Sequence, residues 1–92
     1  MADENVRRHV TVKGEVQGVN FREATRRKAT EAGVSGWVTN RSDGSVEAVF
    51  EGPPEAVDQL VDFVRDGPTA ASVEQADVRD EQAEGISGFD VR

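Results

Sequence analysis

The chain predicts an α+β fold with strands and helices in the order β-α-β-β-α-β and a short extra strand at the C-terminal end. Three observations predict it. Residues 6–13 and 45–51 alternate apolar and polar side chains with period two, the pattern of strands with one buried face. Val57, Leu60, Val61 and Val64 recur at i, i+3, i+4 and i+7, the stripe of an amphipathic helix. A turn bracketed by Gly14 and Gly18 leads from the first strand straight into a second helical stretch, which Gly33 stops. Elements in this order pack as a split β-α-β sandwich, an antiparallel sheet with two helices on one face. Ninety-two residues make one domain, 1–92, with room for a single modest core.

The first strand, 6–13, turns Val6, Arg8, Val10 and Val12 inward and Arg7, His9, Thr11 and Lys13 outward, with Arg8 the exception to its apolar side. His9 therefore reads as a surface histidine. The helix Phe21–Ala32 follows, with Asn20 as N-cap and Glu23 three residues on, an asparagine version of the capping box. Phe21, Ala24, Ala29 and Ala32 form its apolar stripe, and Arg26 and Arg27 read as solvated. Residues 36–41 are the second strand. Asp43-Gly44 is a hairpin turn, and Val46, Ala48 and Phe50 of the third strand, 45–51, point inward. Pro53-Pro54 opens the second helix and Gly67-Pro68 closes it. In the fourth strand, 71–80, the apolar positions change parity between Val73 and Ala76, which predicts a bulge. Residues 81–88 are a polar loop and 89–91 a terminal strand, and the first five residues read as a frayed polar start.

Composition excludes several functions. No apolar run is long enough to cross a membrane and no leader-like segment precedes the first strand, so a cytoplasmic protein with no membrane partner is expected. Without cysteine there are no disulfides or thiolate metal sites, and His9, the single histidine, cannot anchor a multi-histidine site. A net charge of −7 argues against nucleic-acid partners, which need a basic face. Among eleven basic residues only Lys13 and Lys28 are lysine, against eighteen acids. Such an acid-rich, lysine-poor surface suits a halophilic protein whose self-repulsion is screened by salt, or reflects compositional drift in a GC-rich genome.

The candidate site is the stretch Gly14-Glu15-Val16-Gln17-Gly18-Val19-Asn20-Phe21-Arg22. A strand, a glycine turn and a helix start gather main-chain N–H groups around one point, and the helix dipole favours an anion there. Arg22 adds a charged fork that matches paired phosphate oxygens. Taken alone, the turn reads first as an ordinary strand-to-helix connection with a solvated arginine. Topology adds to it. A right-handed β-α-β crossing makes the first two strands parallel with the third between them, so the loop after the first and the end of the second share one edge, about 10 Å apart. Arg22 and Asn40 should then face one crevice at the carboxyl ends of strands. Asn40 can hold a water in line with a bound phosphorus. No nucleophile or general base accompanies the pair. That favours a phosphoryl donor with a good leaving group, such as a mixed carboxylic–phosphoric anhydride.

These residues resemble the acylphosphatases. The stretch from Gly14 to Arg22 is similar to that family's signature, and Gly36-Trp37-Val38-Thr39-Asn40 followed by Asp43-Gly44-Ser45-Val46-Glu47 to its second one. The resemblance extends from the first strand to the closing Gly88-Phe89-Asp90-Val91-Arg92. It implies a small monomeric hydrolase of ferredoxin-like fold that splits acyl phosphates into carboxylate and phosphate with no metal and no cofactor. It implies that Arg22 binds the phosphate, that Asn40 orients the water, and that the backbone amides of Glu15, Val16, Gln17, Gly18, Val19 and Asn20 hold the phosphate oxygens. It also implies that the substrate's own phosphate accepts the water's proton. Two residues depart from the usual pattern: Glu15 brings a negative charge to the mouth of the loop, and Asn20 stands where larger side chains are usual. These bear on affinity and rate.

Two other functions fit the same topology. A non-catalytic module could use the cradle to bind a phosphate or carboxylate, but has no need of Asn40. An RNA-binding sheet would stack bases on exposed aromatics. Here the strands offer only Trp37 and Phe50, both expected in the core, and the charge has the wrong sign.

Overall fold

A computed structural model describes residues 4–92. Of the predicted frayed start, residues 1–3 lie outside the described residues, and Glu4 and Asn5 are exposed. The elements are β1 (Val6–Glu15), α1 (Phe21–Ala32), β2 (Ser35–Asn40), β3 (Val46–Gly52), α2 (Pro54–Asp66), β4 (Ser72–Glu81) and β5 (Phe89–Val91). The fold is the α+β split β-α-β sandwich expected from the periodicities. In the sheet the order is β4-β1-β3-β2-β5, so β3 lies between β1 and β2. Both pair antiparallel to it, with Val10 opposite Ala48 and Val38 opposite Ala48 from the other side.

The sheet is mixed rather than purely antiparallel. After β4 the chain crosses to the opposite edge, and β5 enters parallel to β2, with Gly36 paired to Phe89 and Val38 to Val91. The predicted bulge falls where β4 meets the end of β1. Lys13 faces Gln75 and Gly14 faces Val73, leaving Glu74 as the extra residue.

The core fills the space between the helices and one sheet face. Val10, Val12, Val38, Val46, Ala48 and Phe50 meet Phe21 and Ala29 of α1 and the α2 stripe Val57, Leu60, Val61 and Val64. Helix α2 covers β1, β3 and β4, whereas α1 covers β2 and β5. Proline opens α2 and Glu55 sits in its first turn, both favourable at a helix start. The α1 stripe is completed by Thr25 rather than Ala24. Thr25 is buried because its hydroxyl donates to the Phe21 carbonyl at 2.8 Å, so no polar atom is left unpaired.

The outer sheet face is only partly wet. Arg7 points outward as its parity requires, yet it is 7 % exposed, with the carboxylates of Glu51, Glu81 and Glu84 gathered around it. Its Nη1 donates to Glu51 Oε1 at 3.2 Å and its Nε to Glu81 Oε1 at 2.8 Å. Glu51 is buried as well and also accepts from the amides of Glu84 and Gly85. His9 is half-buried rather than freely solvated, with Nε2 2.6 Å from Glu47 Oε2. Trp37 is not in the core: it lies half-buried with the Arg92 guanidinium 4.7 Å over its ring, whereas Phe50 is fully buried and stacks on Phe89.

Candidate active site

The loop between β1 and α1 is shaped by which of its side chains can be buried. Val16 is fully buried and Val19 packs against the core, pinning the loop from beneath at two points. Between them Gly18 adopts φ +75, a left-handed turn that a side chain would strain. Gly14 is needed for a different reason. Its φ is +132, and a Cβ there would stand 2.2 Å from the Ser72 carbonyl oxygen, where β4 approaches most closely.

Asn20 does not cap α1. It sits in the left-handed region at φ 64, ψ 25, and its side chain makes no capping bond. A capping side chain needs the extended backbone geometry that Asn20 lacks. Glu23 therefore does not reach back to it. It pairs forward, with Arg26 Nε at 3.0 Å and Nη2 closer still, and with Arg27 at 3.7 Å. Arg26 is thus ion-paired rather than simply solvated, while Arg27 is exposed as expected. Among the described residues, no turn, loop or cap hydrogen bond is donated by the main-chain amides of residues 16–20. A helix N-terminus without a side-chain cap keeps its dipole and donors for an anion.

A cleft of about 170 Å³ opens at this point. The loop contributes Val16, Gly18 and Asn20, the first turn of α1 contributes Phe21, Arg22 and Glu23, and Asn40 comes from the end of β2. Arg22 and Asn40, eighteen residues apart in sequence, therefore border one cleft. Glu15, Gln17 and Val19 do not line it. Glu15 is the last residue of β1, paired with Ser72 and exposed, so its charge is not directed into the cradle. Glu23 does line the cleft, but Arg26 neutralises it and holds its carboxyl below the usual range, so it repels an anion less than its charge suggests.

The structure adds residues that no motif spacing revealed. Arg22 Nη1 donates to the Arg92 main-chain oxygen at 2.6 Å, and Thr39 Oγ1 lies 3.4 Å from that same oxygen. The Arg92 amide in turn donates to the Val38 carbonyl at 2.9 Å, and Val91 completes the cleft wall. Arg92, the residue after β5, thus positions the arginine, a contact spanning seventy residues for which local pattern carries no signal. On the other side, Gln17 Nε2 donates to the carbonyls of Arg41 and Ser45, at 2.7 and 2.9 Å. That hairpin is itself tightly closed. The Asp43 carboxylate accepts from the Ser45 hydroxyl at 2.6 Å and its amide at 3.0 Å, which keeps the Asp43 carboxyl below its ordinary range. Among the described residues no group of three or more His, Cys, Asp or Glu is placed to hold a metal. What the cleft can offer an anion is a guanidinium, main-chain amides and a neutral carboxamide.

The sequence profile of the family described as Acylphosphatase matches residues 8–91. The chain belongs to the acylphosphatase family. An acylphosphatase of Gloeobacter violaceus is 59 % identical over 86 residues, covering 94 % of this chain and 92 % of that one. An acylphosphatase of Haloquadratum walsbyi is 50 % identical, covering 100 % of this chain and 99 % of its own length. The solved structure of an acylphosphatase from Coxiella burnetii superposes with a TM-score of 0.90 at 41 % identity, covering 96 % and 93 % of the two chains. An acylphosphatase acts on acyl phosphates, and this chain is a hydrolase of that class with the ferredoxin-like fold of the family. The expected substrate, a carboxyl–phosphate anhydride, is thereby the substrate class of the family.

Proposed function

We propose that this acylphosphatase holds the phosphoryl group of its substrate on backbone amides of the 15–20 loop, of which Val16, Gly18 and Asn20 line the cleft, and on the Arg22 guanidinium, with Asn40 orienting the attacking water. The water oxygen forms a bond to phosphorus as the bond from phosphorus to the acyl oxygen breaks. The carboxylate leaves with the electron pair, and a phosphate oxygen takes the water's proton. A carboxylate is a good enough leaving group to depart unprotonated, so positioning and charge stabilisation suffice. The observation that carries this reading is that Arg22 and Asn40 border the same cleft as the uncapped turn leading into α1. The guanidinium and amides supply the positive field that the developing charge needs, which supports a reaction without metal or cofactor.

Further parts of the reading rest on composition. A monomeric domain acting in the cytoplasm without nucleic-acid or membrane partner is proposed, of which the acidic net charge supports the lack of a nucleic-acid partner. The surplus of acids over lysines supports adaptation to salt.

The test follows phosphate release from acetyl phosphate with chelator present. Arg22→Ala and Asn40→Ala should each lower kcat by roughly 10²–10³ while the far-UV circular dichroism stays native. Arg22→Lys should fail as well, because an ammonium cannot reproduce the bidentate fork. Near-normal turnover in either alanine variant refutes the role assigned to it.

A further inference from the structure

We infer that the Gln17 side chain is a positioning residue that sets the distance between the phosphate-holding loop and the water-orienting asparagine. The inference rests on the roles proposed above for residues 15–20 and Asn40. Gln17 belongs to the loop, yet its side chain leaves the cleft and crosses to the β2–β3 hairpin. Its Nε2 carries two hydrogens and meets two carbonyl oxygens, Arg41 at 2.7 Å and Ser45 at 2.9 Å. Only the nitrogen end of the carboxamide can satisfy two acceptors, so the orientation of the side chain follows from its partners.

Those two carbonyls are the ones that close the hairpin. The Arg41 carbonyl also accepts from the Gly44 amide at 3.2 Å, and the Ser45 carbonyl from the Arg41 amide at 2.8 Å. Arg41 directly follows Asn40, and Ser45 directly precedes Val46, the strand partner of Asn40. Gln17 therefore grips the hairpin immediately beside Asn40, from the loop that holds the phosphate. Otherwise the loop is anchored to the core through Val16 and Val19, and Asn40 belongs to the end of β2. Besides the staple, the two halves of the site are tied by the sheet and by the Arg92 oxygen, which accepts from Arg22 Nη1 and lies beside Thr39 Oγ1; neither reaches the hairpin beyond Asn40.

The consequence is a separation of two kinetic effects. Without the staple, the loop keeps its buried anchors and its amides, so phosphate binding persists. The hairpin can shift relative to it, and the water is no longer held in line with phosphorus. A misplacement on the order of 1 Å costs about a hundredfold in rate.

Gln17→Met preserves the length and shape of the side chain and removes both donors. Gln17→Asn keeps a carboxamide but is too short to reach both carbonyls, and it is read in the same way if the methionine variant does not fold. Each is assayed with acetyl phosphate for kcat, and with inorganic phosphate as competitive inhibitor for Ki, alongside Arg22→Ala and Asn40→Ala. The expected result is a fall in kcat of about 10- to 100-fold with a phosphate Ki within about threefold of native. A folded variant with kcat within about threefold of native overturns the inference, as does a Ki that rises in step with the fall in kcat. If Arg22→Ala and Asn40→Ala also retain activity, it is the assignment of the cleft that fails, and the staple with it. If those two lose activity while Gln17→Met does not, only the staple fails.

Discussion

Replacing Glu51 with glutamine probes the buried carboxylate that fastens residues 82–88, the loop through which β5 reaches the cleft. Glu51 is 2 % exposed. Its Oε1 accepts from Arg7 Nη1 at 3.2 Å and the Glu84 amide at 3.1 Å, and its Oε2 accepts from the Gly85 amide at 2.7 Å. Glutamine has nearly the same shape, but one terminal atom becomes a donor. The least costly orientation keeps the carbonyl oxygen for Arg7 and Glu84 and sets the NH₂ against the Gly85 amide, donor facing donor. Hydrogen bonds to charged groups contribute about 1.5–3 kcal/mol each, and neutral ones roughly 0.5–1.5 kcal/mol. The substitution removes one such bond and the charge from two others, offset in part because a neutral amide is easier to bury than a carboxylate. The net loss at neutral pH is about 2–3 kcal/mol, a fall in Tm of roughly 10–20 °C for a chain of this size.

The pH dependence supplies the sharper check. Burial pushes the Glu51 carboxyl up, but the Glu84 and Gly85 amides and the Arg7 guanidinium outweigh it, and the group is held below its ordinary value of 4.5. A carboxyl depressed in the folded state contributes stability above its unfolded value and loses it as pH falls through the folded one. Protonated Glu51 resembles glutamine in charge. The native and Glu51→Gln melts, followed by circular dichroism, should therefore lie far apart at neutral pH and converge in acid below the ordinary glutamate range. A gap equally wide in acid, or no gap at neutral pH, refutes the reasoning.

Gly14→Ala should cost more than about 2 kcal/mol in urea unfolding, since its Cβ would meet the Ser72 carbonyl oxygen and the Glu74 amide at a left-handed φ, and the opposing atoms are backbone; a native midpoint would count against this. The Tm should rise between low and molar KCl, because a net charge of −7, with Glu55, Asp58, Asp62 and Asp66 exposed along α2, leaves repulsion for salt to screen. A Tm indifferent to salt would remove the basis for a halophilic surface.

The elements were legible wherever side-chain periodicity recorded burial. The α2 stripe of Val57, Leu60, Val61 and Val64 is buried as its spacing requires, and the parity change in β4 marks a bulge at Glu74. The shared edge of Arg22 and Asn40 followed from the handedness of a β-α-β crossing, which holds irrespective of side chains. Errors arose where a local rule met a competing partner. Asn20 has the composition of a cap but the backbone of a left-handed turn, and Glu23, released from it, pairs with Arg26. Arg7 sits at an outward position yet is buried, because Glu81 at the end of β4 and Glu84 of the following loop, more than seventy residues away in sequence, close on it.

Alternation and turn chemistry are short-range properties, and they already contained the layering, the place of β3 between β1 and β2, the glycine turn into α1 and the meeting of an arginine with an asparagine at one edge; the parallel seat of β5 they did not contain. The grip of Arg92 on Arg22, the Gln17 bridge to the hairpin and the buried Glu51 anchor emerged from folding alone. Each is a hydrogen bond between segments distant in sequence. Its geometry depends on where whole strands come to rest, and no repeat or spacing within one segment encodes that.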